Sequence, residues 1–211
     1  MNASLSDPGE AEALFHTAAV EVRVARLDVR PPRLAQLERK LSPEEGARAR
    51  LLSEPAGRRF AAARGLLREQ LGARLGMRPE AVELRTGPTG KLFALGPVFF
   101  NVSHSQGLAV FAFTDGREVG IDVERRRPIP DLDRVAAVAL SPAETAALQR
   151  LPAEARQYAF FERWTRKEAY LKACGDGLHR DPRRVNGTGS WEVVSFEPAP
   201  GFAGAVCVEP R

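Results

Sequence analysis

One short segment constrains the fold of this chain more than any other, because it alternates strictly between apolar and other residues. Positions 119–124 read Val-Gly-Ile-Asp-Val-Glu, and a period of two is the signature of a β-strand with one buried face. Asp122 and Glu124 then project together from the opposite face, beside Gly120. Two carboxylates held by a buried strand suit a hard divalent cation, and the glycine would leave room for a ligand. A strand end whose acidic face meets solvent is the alternative interpretation.

The remaining periodicity predicts further strands and helices. Valines at positions 20, 22 and 24 alternate with charged residues and predict a strand, which Pro31 and Pro32 close. Ser42-Pro43-Glu44-Glu45 is a capping-box sequence that predicts the start of a helix, and a longer basic amphipathic helix is expected after Pro55. Additional strands are expected at 82–84, 98–101, 108–114, 119–124, 191–196 and 203–208, and additional helices at 131–140, 142–150 and 153–174.

The order of these elements predicts the domain organisation. Strand, helices and strands are followed by helices and strands, which indicates an α+β fold of two halves, 18–115 and 116–211, packed side by side. No sequence repeat between the halves is evident. Residues 1–17 lack apolar periodicity, so we expect them to form a loose leader outside the fold.

The composition indicates a soluble globular protein with a basic balance. The formal net charge is +4, and 44% of the 211 residues are hydrophobic. No run approaches the roughly 20 apolar residues that cross a membrane, and the first residues are polar and acidic, unlike a secretory signal. A cytoplasmic protein is therefore expected. The positive charge suits an anionic ligand, an acidic protein partner or nucleic acid, and does not choose among them.

A second informative segment lies at 160–172 and reads Phe-Phe-Glu-Arg-Trp-Thr-Arg-Lys-Glu-Ala-Tyr-Leu-Lys. On a helix, Trp164, Glu168 and Lys172 fall on one stripe, so that the carboxylate and the ammonium are neighbours. An exposed ion pair is one interpretation. The other is that Glu168 adds a third carboxylate to the strand pair while Lys172 neutralises phosphate, as magnesium-assisted chemistry at a pyrophosphate requires.

A third segment, 100–105, reads Phe-Asn-Val-Ser-His-Ser and lies between two apolar runs. We expect it to be a turn whose small donors suit an anion. No triad order or G-x-S-x-G elbow surrounds Ser103 or Ser105, so neither serine is expected to be a hydrolytic nucleophile. His104 is either a capped turn histidine or a phosphate donor.

The loop at 87–91, Gly-Pro-Thr-Gly-Lys, superficially resembles a phosphate-binding loop. It lacks the G-x-x-x-x-G-K-[ST] pattern, because only two residues separate its glycines and Leu92 follows the lysine. Arg85 and Lys91 can still bracket an anion.

Taken in order, Gly90-Lys91, the segment 100–105, the segment 119–124 and the segment 164–172 resemble the surfactin-type phosphopantetheinyl transferase superfamily. The resemblance implies an α+β fold in which two similar halves are related by a pseudo-two-fold, with coenzyme A bound in the cleft between them. It also implies a monomer, since one chain then contains both halves. Leu92 departs from the family, which usually has proline after this lysine.

The resemblance further implies a role for each matching residue. Asp122, Glu124 and Glu168 would hold Mg²⁺ against the pyrophosphate, and Glu168 or a bound water would deprotonate the acceptor serine. The remaining contacts with coenzyme A are implied for Asn101, Ser103, His104, Lys91, Lys172 and Arg85. By pattern rather than by motif, Arg58, Arg59 or Arg48 would meet the 3′-phosphate.

The implied reaction is attack by a serine of an apo acyl or peptidyl carrier protein on the β-phosphate of coenzyme A, which expels adenosine 3′,5′-bisphosphate. Catalysis would be electrostatic, with His104 and Lys172 offsetting charge on the departing phosphate. Two alternatives stay open. A catalytically silent coenzyme A or nucleotide binder is one, and a basic nucleic-acid-binding protein is the other, although no stacking platform or groove-reading motif appears in the sequence.

Overall fold

The computed structural model describes residues 8–175, 180–185 and 187–211, which fold into two sheets, a hairpin and two sets of helices. The strands are β1 (Glu12–His16), β2 (Glu21–Arg26), β3 (Leu84–Thr86), β4 (Leu92–Ala94), β5 (Val98–Ser105), β6 (Leu108–Asp115), β7 (Val119–Arg125), β8 (Glu192–Phe196) and β9 (Phe202–Val208). The helices are α1 (Pro31–Glu38), α2 (Pro43–Leu51), α3 (Ala56–Leu75), α4 (Leu132–Ala139), α5 (Pro142–Gln149) and α6 (Ala153–Cys174), with short 3-10 helices at Pro79–Ala81 and Pro182–Arg184. No helix in the described ranges is both long enough and apolar enough to span a membrane.

The two main sheets have the same internal strand order. The first runs β1-β2-β6-β5 and the second β7-β9-β8, and neighbouring strands are antiparallel in both. In each half, one strand leads into three helices, and two later strands complete the sheet. The prediction of two similar α+β halves related by a pseudo-two-fold is confirmed by this shared topology. The order β2-β6-β5 matches β7-β9-β8, and strand β1 and the β3–β4 hairpin are additions to the first half.

A buried clamp also repeats between the halves, so the two halves share a structural repeat although their sequences have little in common. Helix α2 begins with the capping box Ser42-Pro-Glu-Glu and α5 with the capping box Ser141-Pro-Ala-Glu. The last glutamate of each box pairs with a cation 23 residues later, Glu45 with Arg68 at 2.7 Å and Glu144 with Lys167 at 2.5 Å. Both cations are only 3% exposed.

Each clamp cation also fastens the segment that follows its helix. Arg68 donates to the Val82 carbonyl at 2.9 Å, and Lys167 donates to the Val185 carbonyl at 3.1 Å. Buried charges of this kind need both a counterion and hydrogen-bond acceptors. The two halves therefore meet that need in the same way, although few of their residues are identical.

The halves join through an apolar layer. The valines of β2 and alternate residues of β6 pack against Val119, Ile121 and Val123 of β7, together with Val206 and Val208 of β9. The period of two in β7 thus places its apolar face in the interface, as predicted. Its other face is left for α6.

Two predictions about the N-terminal half were wrong. Within the predicted loose leader, residues 12–16 form strand β1, which pairs with β2. The register slips between Ala13 and Phe15, and such a bulge breaks the alternation by which a strand is recognised. The two prolines at positions 31 and 32 also open helix α1, where proline at the first helical position loses no hydrogen bond.

Candidate active site

Helix α6 lies directly on the polar face of β7, and Gly120 makes this possible. A Cβ atom at Gly120 would lie 2.1 Å from the Ala169 carbonyl oxygen and 2.3 Å from the Ala173 amide nitrogen. Any side chain there would push the helix away from the strand. The glycine therefore makes room for the helix backbone, and the expectation that it leaves room for a ligand was wrong.

This close packing brings Lys172 onto Asp122. The ammonium donates to Asp122 Oδ1 at 2.6 Å and to Ser103 Oγ at 3.0 Å, while the serine hydroxyl donates to the same carboxylate oxygen at 2.9 Å. The Asp122 side chain is 5% exposed. Its second oxygen, Oδ2, is buried and has no hydrogen-bond partner among the described residues, which is unusual for a buried carboxylate.

Two further carboxylates surround this aspartate. Burial raises the pKa of Glu168, the Asp122 charge raises it further, Lys172 opposes the rise and Glu124 adds to it. Burial and the Asp122 charge also raise the pKa of Glu124, against the hydrogen bond from Ser105. The three predicted metal residues are thus close enough to repel one another, which favours a cation between them.

The described residues contain no ready-made cluster of three or more His, Cys, Asp or Glu side chains in a metal-binding arrangement. Lys172 supplies the positive charge at Asp122 instead. The donor set still fits a hard cation, because oxygen atoms of carboxylates are its preferred ligands and Asp122 Oδ2 lacks any partner.

Strand β5 supports the site from the other half. The prediction of a turn at 100–105 was wrong, because the strand continues to Ser105 and turns only at Gln106. Its alternate polar residues connect it to β7: Asn101 Oδ1 accepts from the Ile121 amide at 3.0 Å, and Ser105 Oγ donates to Glu124 at 3.0 Å. Side-chain bonds thus replace main-chain pairing between the two halves. They fix the carboxylates. The bond to Ile121 uses only the side-chain oxygen of Asn101, and the contact of this residue with coenzyme A stays a prediction.

A cavity of about 360 Å³ opens beside the carboxylates and runs between the halves. Helix α3 and strand β5 form one wall, and helix α6 and the tip of the β3–β4 hairpin form the other. The polar and charged side chains that line it are Arg48, Arg64, Thr89, Lys91, Asn101, His104, Glu168 and Lys172. Most of its ionisable side chains are basic, which suits a polyanionic ligand.

Of the arginines predicted to meet the 3′-phosphate, only Arg48 lines this cavity, and Arg64, which was not predicted, lies beside it. Arg48 and Arg64 line the cavity, and both guanidiniums lie 5.3 Å from the centre of the Phe60 ring. In the part of the chain that the structure describes, neither has an ion-pair partner, so both are available to an anion. Burial lowers the pKa of Arg64, and Arg48 acts in the same direction against Glu45. The sequence signal for Arg64 was its place one turn after Phe60, on the apolar stripe of α3.

The three other predicted arginines lie away from this cavity. Arg59 forms a bidentate pair with Asp28, at 2.7 and 2.9 Å. Arg58 is exposed and donates to the Val29 carbonyl at 3.4 Å, and Arg85 pairs with Glu83 at 3.1 Å in an adjoining groove. None of the three lines the cavity. The sequence could not show this for Arg58 and Arg59, because the amphipathic pattern of α3 does not say which side of the helix the second half covers.

His104 and Lys91 do line the cavity. Partial burial lowers the pKa of His104, and the charges of Lys172 and Arg64 lower it further. Lys91 Nζ donates to Glu118 at 2.6 Å and to the Ala173 carbonyl at 3.1 Å. The hairpin lysine of the first half is therefore bound to the second half.

Comparison with known proteins decides the family. Residues 118–200 match the family described as the 4′-phosphopantetheinyl transferase superfamily. The chain is 37% identical to the 4′-phosphopantetheinyl transferase HetI of Nostoc sp. over 207 residues. This match covers 89% of this chain and 87% of HetI. The chain belongs to the 4′-phosphopantetheinyl transferase superfamily. The match to HetI extends beyond the second half, so the likeness includes residues of both halves.

Other members of the superfamily match over shorter stretches. The 4′-phosphopantetheinyl transferase gsp of Aneurinibacillus migulanus is 35% identical over 115 residues, which are 54% of this chain and 47% of that protein. Among solved structures, the holo-[acyl-carrier-protein] synthase of Thermotoga maritima is 24% identical, with a TM-score of 0.36 over 44% of this chain and 64% of that one.

Proposed function

We propose that this phosphopantetheinyl transferase moves the 4′-phosphopantetheine group of coenzyme A to a serine of an apo acyl or peptidyl carrier protein, with Mg²⁺ as its metal. The family gives the reaction. The observation that carries the site is the buried Asp122 carboxylate, which has one oxygen on Lys172 and the other without a partner. Burial and the Asp122 charge raise the pKa of Glu124 and Glu168, and Glu168 and Lys172 line the basic cavity.

Asp122, Glu124 and Glu168 would hold the metal. Asp122 Oδ2 needs a partner, and a dication would relieve the repulsion that raises the pKa of the two glutamates. When bound, Mg²⁺ neutralises charge on the pyrophosphate oxygens and so stabilises the transition state.

The other cations of the cavity would bind the rest of coenzyme A. The Lys172 ammonium has three donors and uses two of them on Asp122 and Ser103, so one remains for a phosphate oxygen. Burial and the charges of Lys172 and Arg64 lower the pKa of His104, and a phosphate beside it would oppose the effect of those two charges and favour the protonated imidazole. Arg48 and Arg64 are the candidates for the 3′-phosphate, in place of Arg58 and Arg59, since they face the cavity without partners.

In the reaction, the carrier serine oxygen forms a bond to the β-phosphorus while the bond from that phosphorus to the bridging oxygen breaks. Adenosine 3′,5′-bisphosphate leaves with the bridging oxygen. Glu168 is the candidate to accept the serine proton, because its carboxylate lines the cavity beside Lys172, where the phosphates of coenzyme A would bind. Lys172 and His104 would offset the charge that develops on the leaving phosphate.

The location and assembly of the protein follow from the same proposal. A soluble cytoplasmic monomer is expected, because the two halves of one chain supply both walls of the cavity and no partner copy is needed to complete it. An acidic carrier domain would be attracted by the net charge of +4.

The test is an incubation with coenzyme A, Mg²⁺ and an apo carrier protein, followed by mass spectrometry of the carrier. We expect the carrier to gain one phosphopantetheine group, to gain none with EDTA, and to gain none when its acceptor serine is alanine. A protein that binds coenzyme A but never modifies any apo carrier would be the silent binder. Salt-sensitive DNA binding without turnover would instead favour a nucleic-acid-binding protein.

A further inference from the structure

The Lys91–Glu118 pair lies on the seam between the two halves of the molecule. Lys91 ends the tight turn of the β3–β4 hairpin, where the Gly87 amide donates to the Lys91 carbonyl at 2.8 Å. Glu118 directly precedes β7, and Ala173 belongs to the last turn of α6. A single ammonium thus connects the hairpin of the first half to a strand and a helix of the second.

The hairpin needs such an anchor. Strands β3 and β4 form a separate two-stranded sheet that is not hydrogen-bonded into either main sheet. Phe93 on this hairpin and Leu95 just beyond it are 44% and 51% exposed, so only part of its apolar surface is buried. Two-stranded hairpins are only marginally stable by themselves. The position of its tip, which forms part of the cavity wall, depends on contacts that the tip makes with the rest of the protein.

The bonds of Lys91 give the tip a defined position. The Ala173 carbonyl lies in the last turn of α6, where helix carbonyls have no partner within the helix, and a cation there also meets the negative end of the helix dipole. Glu118 supplies the countercharge at 2.6 Å. With two of its three donors used in this way, the ammonium keeps one for the cavity that it lines.

We propose that Glu118 is a positioning residue, whose carboxylate holds Lys91 across the seam and thereby fixes both the hairpin tip and the cation that meets the anionic substrate. This inference rests on the proposed function for the identity of that substrate. Glu118 lies outside the cavity lining, so it acts through Lys91 and does not contact the ligand.

The first measurement needs no substrate. In hydrogen–deuterium exchange of the whole ligand-free protein, we expect the peptides that cover residues 84–94 to exchange faster in Glu118→Gln and in Lys91→Met than in the wild type. Glu192→Gln is the control, because it removes one carboxylate from a longer ion pair, 3.8 Å from Arg117, and Glu192 belongs to β8 of the second half. Unchanged exchange in Glu118→Gln would overturn the inference.

The second measurement is a double-mutant cycle on transfer kinetics. Glu118→Gln should raise the KM for coenzyme A about three- to fivefold, as expected for loss of a partly exposed ion pair, and leave kcat within about a factor of two. In the Lys91→Met background the same change should have no further effect. An equal effect in both backgrounds, an unchanged KM, or a lower KM would each contradict the positioning role.

The two measurements separate this inference from the proposed function. If the wild-type protein modifies no carrier, the proposed function fails, and the exchange experiment still decides whether Glu118 holds the hairpin. If transfer occurs but Glu118→Gln behaves like the wild type in both measurements, only the positioning role is lost.

Discussion

Helices α3 and α6 occupy equivalent places in the two halves, yet only one of them carries the candidate chemistry. Both end at a glycine in the left-handed region, Gly76 and Gly175, and both hold a buried clamp cation. The residue after the clamp cation is a glutamate in each, Glu69 in α3 and Glu168 in α6. The two glutamates share a position in the repeat but not an environment.

Their neighbours give the two carboxyl groups opposite properties. Burial by itself would raise the pKa of Glu69, but hydrogen bonds and charges from Arg33 and Lys40 outweigh it and lower that pKa. At Glu168, burial and two neighbouring carboxylates raise the pKa. The comparison shows that the two halves share a scaffold. Of the two glutamates, the pKa is raised only at Glu168, where other carboxylates take the place of the cations that surround Glu69.

The largest expected effect tests this contrast directly. Glu168→Gln should lower kcat of carrier modification about a thousandfold, because the amide neither ligates the metal well nor accepts the serine proton. Glu69→Gln makes the same chemical change in the other half and should leave kcat within about a factor of two in the fraction that stays folded. Equal losses of kcat in the two variants, measured by mass spectrometry of the carrier, would contradict the assignment of catalysis to Glu168.

The clamps should be equivalent in stability. Arg68→Met and Lys167→Met each remove a buried cation and leave a partly buried glutamate without its countercharge, so each should lower the free energy of unfolding by about 3 kcal/mol in urea titrations. Lys167→Arg and Arg68→Lys keep the charge and should recover part of that loss. If only one of the two substitutions to methionine lowers the free energy of unfolding, the two clamps do not contribute equally to stability.

The cavity wall gives the next effect. Arg64→Gln should raise the KM for coenzyme A about tenfold, the size expected when a charged hydrogen-bond donor is lost. Arg58→Gln removes the same charge six residues earlier in α3, outside the cavity, and should change the KM by less than about twofold. A larger increase in KM for the Arg58 variant than for the Arg64 variant would support the contact between Arg58 and the 3′-phosphate that the sequence predicted.

The smallest effect concerns pH and stability without metal. A carboxyl whose pKa is raised by folding stabilises the protein at low pH, and this contribution is lost as the pH rises through the raised pKa. In EDTA at pH 7, Glu168→Gln should therefore raise Tm by about 2 °C, and this gain should shrink towards pH 4. Glu69→Gln should lower Tm at pH 7, since the pKa of Glu69 is lowered in the fold. Calorimetry of both variants across this range checks the signs.

The sequence by itself determined much of the scaffold, because its signals are local. The capping box at Ser42 and the alternation in 119–124 are confirmed by the structure. The predicted bounds of α6 and the stripe that carries Glu168 and Lys172 are also confirmed. Each of these patterns needs only a few consecutive residues, and neighbouring residues are what periodicity and capping describe.

Only the tertiary structure decided which side chains meet. The bulge in β1 removed the period of two, and β5 continues through Ser105 because it pairs with β6 along its whole length. That Gly120 admits a helix, and that Arg64 rather than Arg59 faces the cavity, followed from how the second half covers the first. Periodicity assigns a residue to a face of its own element, whereas packing between distant segments decides what that face contacts.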